Sequence, residues 1–389
     1  MSGDNGAGDT PAGPLTGIRV LDLTSVVMGP LCTQVLADQG ADVIMLEPPG
    51  GDTNREMGPG PHPEFSGVAL NLLRNKRSVK IDLKSPEGAA VARKLVERSD
   101  VVVATMRPAA LERLGMDYPS VRAIRPDVVY CQAQGFPLDS PLANEPAYDD
   151  IMQAACGVSD VIERIWGEPG LLPTIVADKF CGVVMAQAVT AALLHRERTG
   201  QGQHVEVPMR QAMGAFMLTE HGSGAIPEPP WNAPGKPAAG YPRILTPSRR
   251  PHPTKDGLVH LFPYLPKHYR ALFVEAGVPG AETDPRYETR RATLQNSESL
   301  YDDIRRIGPT RTTAQWLTYC RGAGIPATAV ATIQDLVDEL PLADHPLVGQ
   351  YRVIPPLARF SETPTALRRP APRIGEHTDE VLGEISAKD

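Results

Sequence analysis

The chain has 389 residues, 41% of them apolar and 22% charged, and a formal net charge of −7. That length exceeds one small core and predicts two domains of ordinary globular composition. The net acidity excludes the basic footprint of general nucleic-acid binding, but not a small anionic ligand held by a local basic patch.

The opening "MSGDNGAGDTPAGP" (1–14) is rich in Gly, Asp and Pro and reads as a disordered tail. It has neither the basic start nor the apolar core of a signal peptide, so a cytoplasmic location is expected. "IRVLDL" (18–23) is a β-rich run that ends in a turn. "PLCTQVLADQGA" then reads as a helix, with Pro30 in its first turn and Gly40 closing it. "DVIMLE" (42–47) is a second strand, and Ser85 caps a helix whose first residue is Pro86. "VVVA" (101–104) and "DVVYCQA" (127–133) follow as further strands. Strands alternating with helices predict an α/β domain built on an open, Rossmann-like parallel sheet.

A long, mostly apolar helix follows Asp178, interrupted by Lys179, Gln187 and His195, so no membrane span is expected. A further helix runs to about His221, ahead of a Pro-rich connector at 226–253. "GLVHLFPY" predicts a new strand, then helices near 266–276, 299–307 and 312–322, then the strand "ATAVA" (327–331). The expected organisation is a large domain at 15–225, a linker at 226–253 and a smaller α+β domain at 254–335. Residues 336–389 are then expected to return to the large domain.

Three common chemistries are disfavoured. The turn "TSVVMGP" has one glycine where a dinucleotide pyrophosphate loop needs three, so Glu47 at the end of the second strand does not mark a nicotinamide site. The five cysteines are scattered and form no C-x-x-C pair, which argues against disulfides or zinc. His195, His204 and His377 match no metal-ligand spacing, and no metal is expected.

Several stretches, in order, resemble the family III CoA-transferases, which include formyl-CoA and carnitine CoA-transferases and 2-methylacyl-CoA racemases. They are "GIRVLDLTSVVMGPLCTQVLADQGADVIMLEPPGGDTNR" (17–55), "NKRSVKIDLKSPEG" (75–88), "RPAALERLGMDY" (107–118) and "AYDDIMQAACG" (147–157). "ADKFCG" (177–182), "RTGQGQHVEVPM" (198–209), "GIPATAVATIQDL" (324–336) and "GEHTDEVL" (375–382) complete the set. The resemblance implies an interlocked homodimer that uses acyl-CoA and a small carboxylic acid, with no nucleic-acid or membrane partner.

It also implies that Asp178 is the nucleophile, forming an aspartyl-CoA thioester through a mixed anhydride. On local sequence alone, an Asp just before a helix is a preferred N-cap, so both readings stand at that level. Tyr148 matches a substrate-binding position that is His in the racemases. A Tyr, with an unperturbed pKa of about 10, supplies no neutral-pH base, which favours transfer over racemisation. Val27 matches a second substrate position. Ser25, Val26, Met28, Ile81, Thr105, Met106, Arg113 and Met209 match positions that line the CoA path. Lys76, Arg77 and Arg107 are further cations for its phosphates. Asp149 and Asp150 read as structural carboxylates, and "PGKPAAGYP" (234–242) is the nearest candidate for a lid. The competing readings are an α-methylacyl-CoA racemase and a CoA-binding protein without activity.

Overall fold

Four apolar runs form the middle of one sheet. In the computed structural model these are β1 (Arg19–Leu23), β2 (Asp42–Glu47), β4 (Val101–Ala104) and β5 (Val129–Gln134). With β3 (Lys76–Lys80) and β6 (Gln203–Pro208) they make a six-stranded sheet ordered β3-β2-β1-β4-β5-β6. Every neighbouring pair is parallel. Parallel strands are covered on both faces, which is why β4 reads Val-Val-Val-Ala and is buried throughout. The structure describes residues 13–232, 235 and 237–387. Of the expected tail, residues 1–12 lie outside that set, as do 233, 234 and 236 around the expected lid segment.

β3 and β6 escape the sequence pattern. The β3 run "KRSVK" looks like a solvated basic cluster, yet its first four residues are buried. Lys76 is fully buried and Arg77 nearly so. The Lys76 Nζ lies 3.2 Å from Asp22, and Arg77 pairs with Asp42, Glu380 and Glu384. Carboxylates distant in sequence therefore make a charged segment tolerable inside the fold. These two cations are spent on the fold, which corrects the expectation that they meet phosphates.

The strand order reverses between β1 and β4, and in open α/β sheets ligands bind at the carboxyl ends beside such a reversal. Helix α1 (Met28–Asp38) follows β1, α2 (Pro86–Glu97) precedes β4 and α3 (Pro108–Leu114) follows it. Helices α4 (Asp149–Ala155) and α5 (Val176–Thr199) come after β5. By length and composition α5 is long and apolar enough to cross a membrane. In the fold its buried residues, among them Ala177, Cys181, Met185 and Val189, recur at helical spacing and face inward. It packs closely on α1: a Cβ at Gly182 would lie 2.6 Å from the Met28 carbonyl oxygen.

By contacts the chain divides into two units. The first holds the described residues of Met1–Cys156, Leu172–Phe216 and Leu340–Asp389. The second holds those of Gly157–Leu171 and Met217–Glu339. The second unit has a three-stranded antiparallel sheet of β7 (His252–Pro253), β8 (Leu258–Leu261) and β9 (Ala327–Ala329). Its core gathers Val259 and Leu261 with Tyr269, Phe273, Tyr301 and Trp316.

Candidate active site

The turn between β1 and α1 carries the first wall. Val26 has φ +69°, a left-handed conformation that a β-branched residue rarely adopts. Its amide donates to Asp52 Oδ1 at 3.4 Å, and the Ser25 amide donates to Thr105 Oγ1 at 3.3 Å. Beneath it, the Thr24 hydroxyl and amide both donate to Asp22, which is paired with Lys76. Gly29 is required on steric grounds, because a Cβ there would lie 2.2 Å from the Thr24 Cβ. The turn is therefore held from three sides, which lets it keep a strained residue.

Two cavities open from it, both in the first unit. One, of about 460 Å³, is lined by Ser25, Val26, Met28, Thr105, Met106, Arg107, Ala110, Pro146, Ala147, Tyr148, Asp178 and Met209. The other, of about 320 Å³, shares Ser25 and Met106. Its walls are apolar at Leu23, Leu46, Ile81 and Leu114, with Asp52, Asp82 and Lys84 among its polar groups. Residues singled out along 185 positions of sequence thus converge on two adjoining hollows.

Two expected site residues line neither cavity. Val27 is buried as the N-cap residue of α1. Arg113 is exposed on α3. Arg107, expected only as a supplementary cation, lines the cavity instead. Ala110, Pro146 and Ala147 were missed, since small apolar residues carry no chemical signal in sequence. Glu47 borders the second cavity but is committed: its oxygens take Arg55 Nε at 2.7 Å and Nη2 at 2.6 Å.

Asp178 is not the cap of its helix. Ile175 holds that place, with no side-chain cap, and Asp178 lies in the first turn. The Asp178 amide instead donates to Asp149 Oδ2 at 3.0 Å, so a second carboxylate caps the turn from α4. Asp149 Oδ1 accepts from Gln153 Nε2 at 2.5 Å, and Gln153 in turn accepts from the Leu172 amide. The Asp178 carboxylate is left free to face the cavity. Burial, and then the charge of Asp149, raise its pKa to about 6. Tyr148, 66% exposed, stands at the mouth. Cys181, one turn along, is held as a thiol, burial pushing its pKa up to about 12.

The amino-acid sequence matches the family described as CoA-transferase family III over residues 15–378. The chain belongs to that family. A relative from Agrobacterium fabrum, a succinate–glutarate CoA-transferase, is 32% identical over 96% of each chain. A formyl-CoA:oxalate CoA-transferase of Escherichia coli O157:H7 is 29% identical, covering 97% of this chain and 96% of its own. Among solved structures, Rv3272 of Mycobacterium tuberculosis shares 28% identity with a TM-score of 0.80, over 95% of this chain and 100% of that one. A CaiB/BaiF family protein of Brucella suis gives 26% and 0.79, over 97% and 100%. The family match together with relatives named as CoA-transferases makes this chain an acyl-CoA:carboxylate CoA-transferase. Among the described residues, no group of three or more His, Cys, Asp or Glu could hold a metal ion.

Proposed function

We propose that the chain moves CoA from an acyl-CoA donor to a free carboxylic acid through a covalent aspartyl-CoA thioester on Asp178. One observation carries this reading: a half-buried carboxylate, without a hydrogen-bond donor among the described residues, faces a cavity that adjoins an apolar-walled one. The smaller cavity suits the adenine of CoA, with Lys84 and Arg107, both exposed, as cations for its phosphates. The shared residues Ser25 and Met106 would pass the pantetheine arm towards Asp178.

An Asp178 oxygen attacks the thioester carbonyl carbon, the C–S bond breaks, and an acyl-aspartyl anhydride and a CoA thiolate result. The thiolate then attacks the aspartyl carbonyl carbon and expels the donor's carboxylate, leaving Asp178 as its CoA thioester. The acceptor acid reverses both steps and departs as the new thioester. No proton need be transferred, so the chemistry calls for no general base at the Tyr148 position. The acceptor class is a small carboxylic acid, in keeping with the succinate, glutarate and oxalate in the relatives' names. The functional assembly in this reading is an interlocked homodimer. Light scattering at twice the chain mass supports that part, and a monomer at working concentration refutes it.

The pH dependence tests the nucleophile. Only the ionised carboxylate attacks, so transfer should rise with pH through about 6, well above the ordinary aspartate range. Asp149→Asn keeps an oxygen for the Asp178 amide but removes the charge, so the acidic limb should move to lower pH. An unchanged limb in Asp149→Asn, measured on kcat/KM for the donor, assigns the limb to some other group.

A further inference from the structure

The second unit contains a cluster that the transfer chemistry does not use. On β8, Val259 and Leu261 point into the core, so the alternation sends His260 and Phe262 to the opposite face. Tyr264 continues the row. The ring centroids lie 5.9 Å apart for His260–Phe262 and 6.1 Å for Phe262–Tyr264, and His252 of β7 stacks on His260.

Three arginines lie over this ladder. The Arg243 guanidinium carbon is 4.6 Å from the Phe262 centroid and 5.3 Å from that of Tyr264. Arg249 lies 5.6 Å from Phe262, and Arg290 lies 4.7 Å from Tyr264. Arg243 is only 8% exposed, and a buried arginine is ordinarily paired with a carboxylate. Here its bonds go to the Tyr301 hydroxyl at 3.2 Å and the Pro263 carbonyl at 3.5 Å. None of the three is in an ion pair within 4 Å among the described residues. Arg243 is buried, Arg249 half-buried and Arg290 exposed. The Arg249 Nε, both ring nitrogens of His252 and the Nδ1 of His260 are buried without a hydrogen-bond partner among the described residues. Burial is the first cause lowering both histidine pKa values, with neighbouring cations adding to it, so neither ring supplies a counter-charge or adds a proton at neutral pH.

Stacking occupies the flat face of a guanidinium. Arg243 also spends Nε and Nη2 on Tyr301 and Pro263, and Arg290 donates Nη2 to the Tyr264 hydroxyl. The Arg249 Nε and the remaining N–H groups, without a partner among the described residues, are what match the two coplanar oxygens of a carboxylate. The rings supply the apolar contact for what the carboxylate is attached to. We infer that the second unit binds a small carboxylate-bearing organic acid, its oxygens held by Arg243, Arg249 and Arg290 and its body against Phe262 and Tyr264. The inference goes beyond the transfer reaction and does not depend on the aspartyl intermediate.

Calorimetric titration of the full chain carrying Asp178→Ala separates binding from turnover. Benzoate and glutarate should each bind saturably, benzoate the tighter because Tyr264 is 39% exposed and can stack with it. Arg249→Gln and Arg290→Gln should each weaken both at least tenfold, and added salt should weaken both further. Arg243→Gln could fail to fold, so the two less buried arginines carry the test. Unaltered affinity in both of those variants overturns the site. Binding of inorganic phosphate without binding of either acid overturns the ligand class. A missing aspartyl adduct in the unsubstituted protein would count against the transfer mechanism and leave this site standing.

Discussion

Asp178→Ala is expected to lower CoA transfer at least about a thousandfold while leaving acyl-CoA binding in place, as for removal of other enzymic nucleophiles. Among the described residues the carboxylate is the one group lining the cavity that can form both the anhydride and the thioester, and its neighbour Asp149 is occupied with the Asp178 amide. Mass spectrometry after mixing the unsubstituted protein with an acyl-CoA should find CoA attached at Asp178, an adduct that hydroxylamine removes. Full turnover by the alanine variant would falsify the mechanism.

The same site should cost stability. Burial and Asp149 hold the Asp178 pKa at about 6 in the folded chain, against a reference of 3.8. The fold therefore favours the protonated acid: the contribution is fully present below about pH 4 and is lost as pH rises through about 6. By that linkage, an ionised Asp178 costs on the order of 2 to 3 kcal/mol at pH 8. Asp178→Asn should accordingly be more stable than the parent at pH 8 and no more stable at pH 4, by denaturant midpoint. A parallel offset at both pH values would mean that its ionisation is not what the fold resists.

Lys76→Met is expected to have the largest effect on the fold, a loss of roughly 3 to 5 kcal/mol. Both Lys76 and Asp22 are fully buried. The Lys76 Nζ also donates to the Pro30 carbonyl at 3.0 Å and to Thr33 Oγ1 at 2.7 Å. Methionine fills the volume but strands the Asp22 carboxylate without a cation. The double variant with Asp22→Asn should recover part of the loss, and that non-additivity distinguishes a charge effect from poor packing. Asp22 anchors Thr24, and Thr24 begins the turn whose next residues line both cavities, so the KM for acyl-CoA should rise as well. An unaltered midpoint in Lys76→Met would show that water reaches Asp22.

What was legible in the sequence followed from local pattern. Short runs rich in apolar residues mark β1, β2, β4 and β5, because buried parallel strands favour apolar side chains on both faces. Ser85 with Pro86 marks the start of α2, where the Ser85 hydroxyl accepts from the Gly88 amide. The ordered motifs were enough to place the chain in its family and to single out Asp178. β3 was not legible, because a strand reading Lys-Arg-Ser-Val-Lys is buried only by virtue of acids dozens to hundreds of residues away.

The amino-acid sequence by itself determined which segments could be strands and helices, and which carboxylate stands at the head of the long helix. Only the tertiary structure decided that this carboxylate lines a cavity and does not cap its own helix. Asp149, 29 residues earlier, takes over the capping of the Asp178 amide and raises the Asp178 pKa by its charge. It also decided that Lys76 and Arg77 serve the core while Arg107 lines the cavity. The reason is physical: a charged group's role depends on which opposite charge and how much water the fold leaves beside it, and neither is a property of neighbouring residues in the chain.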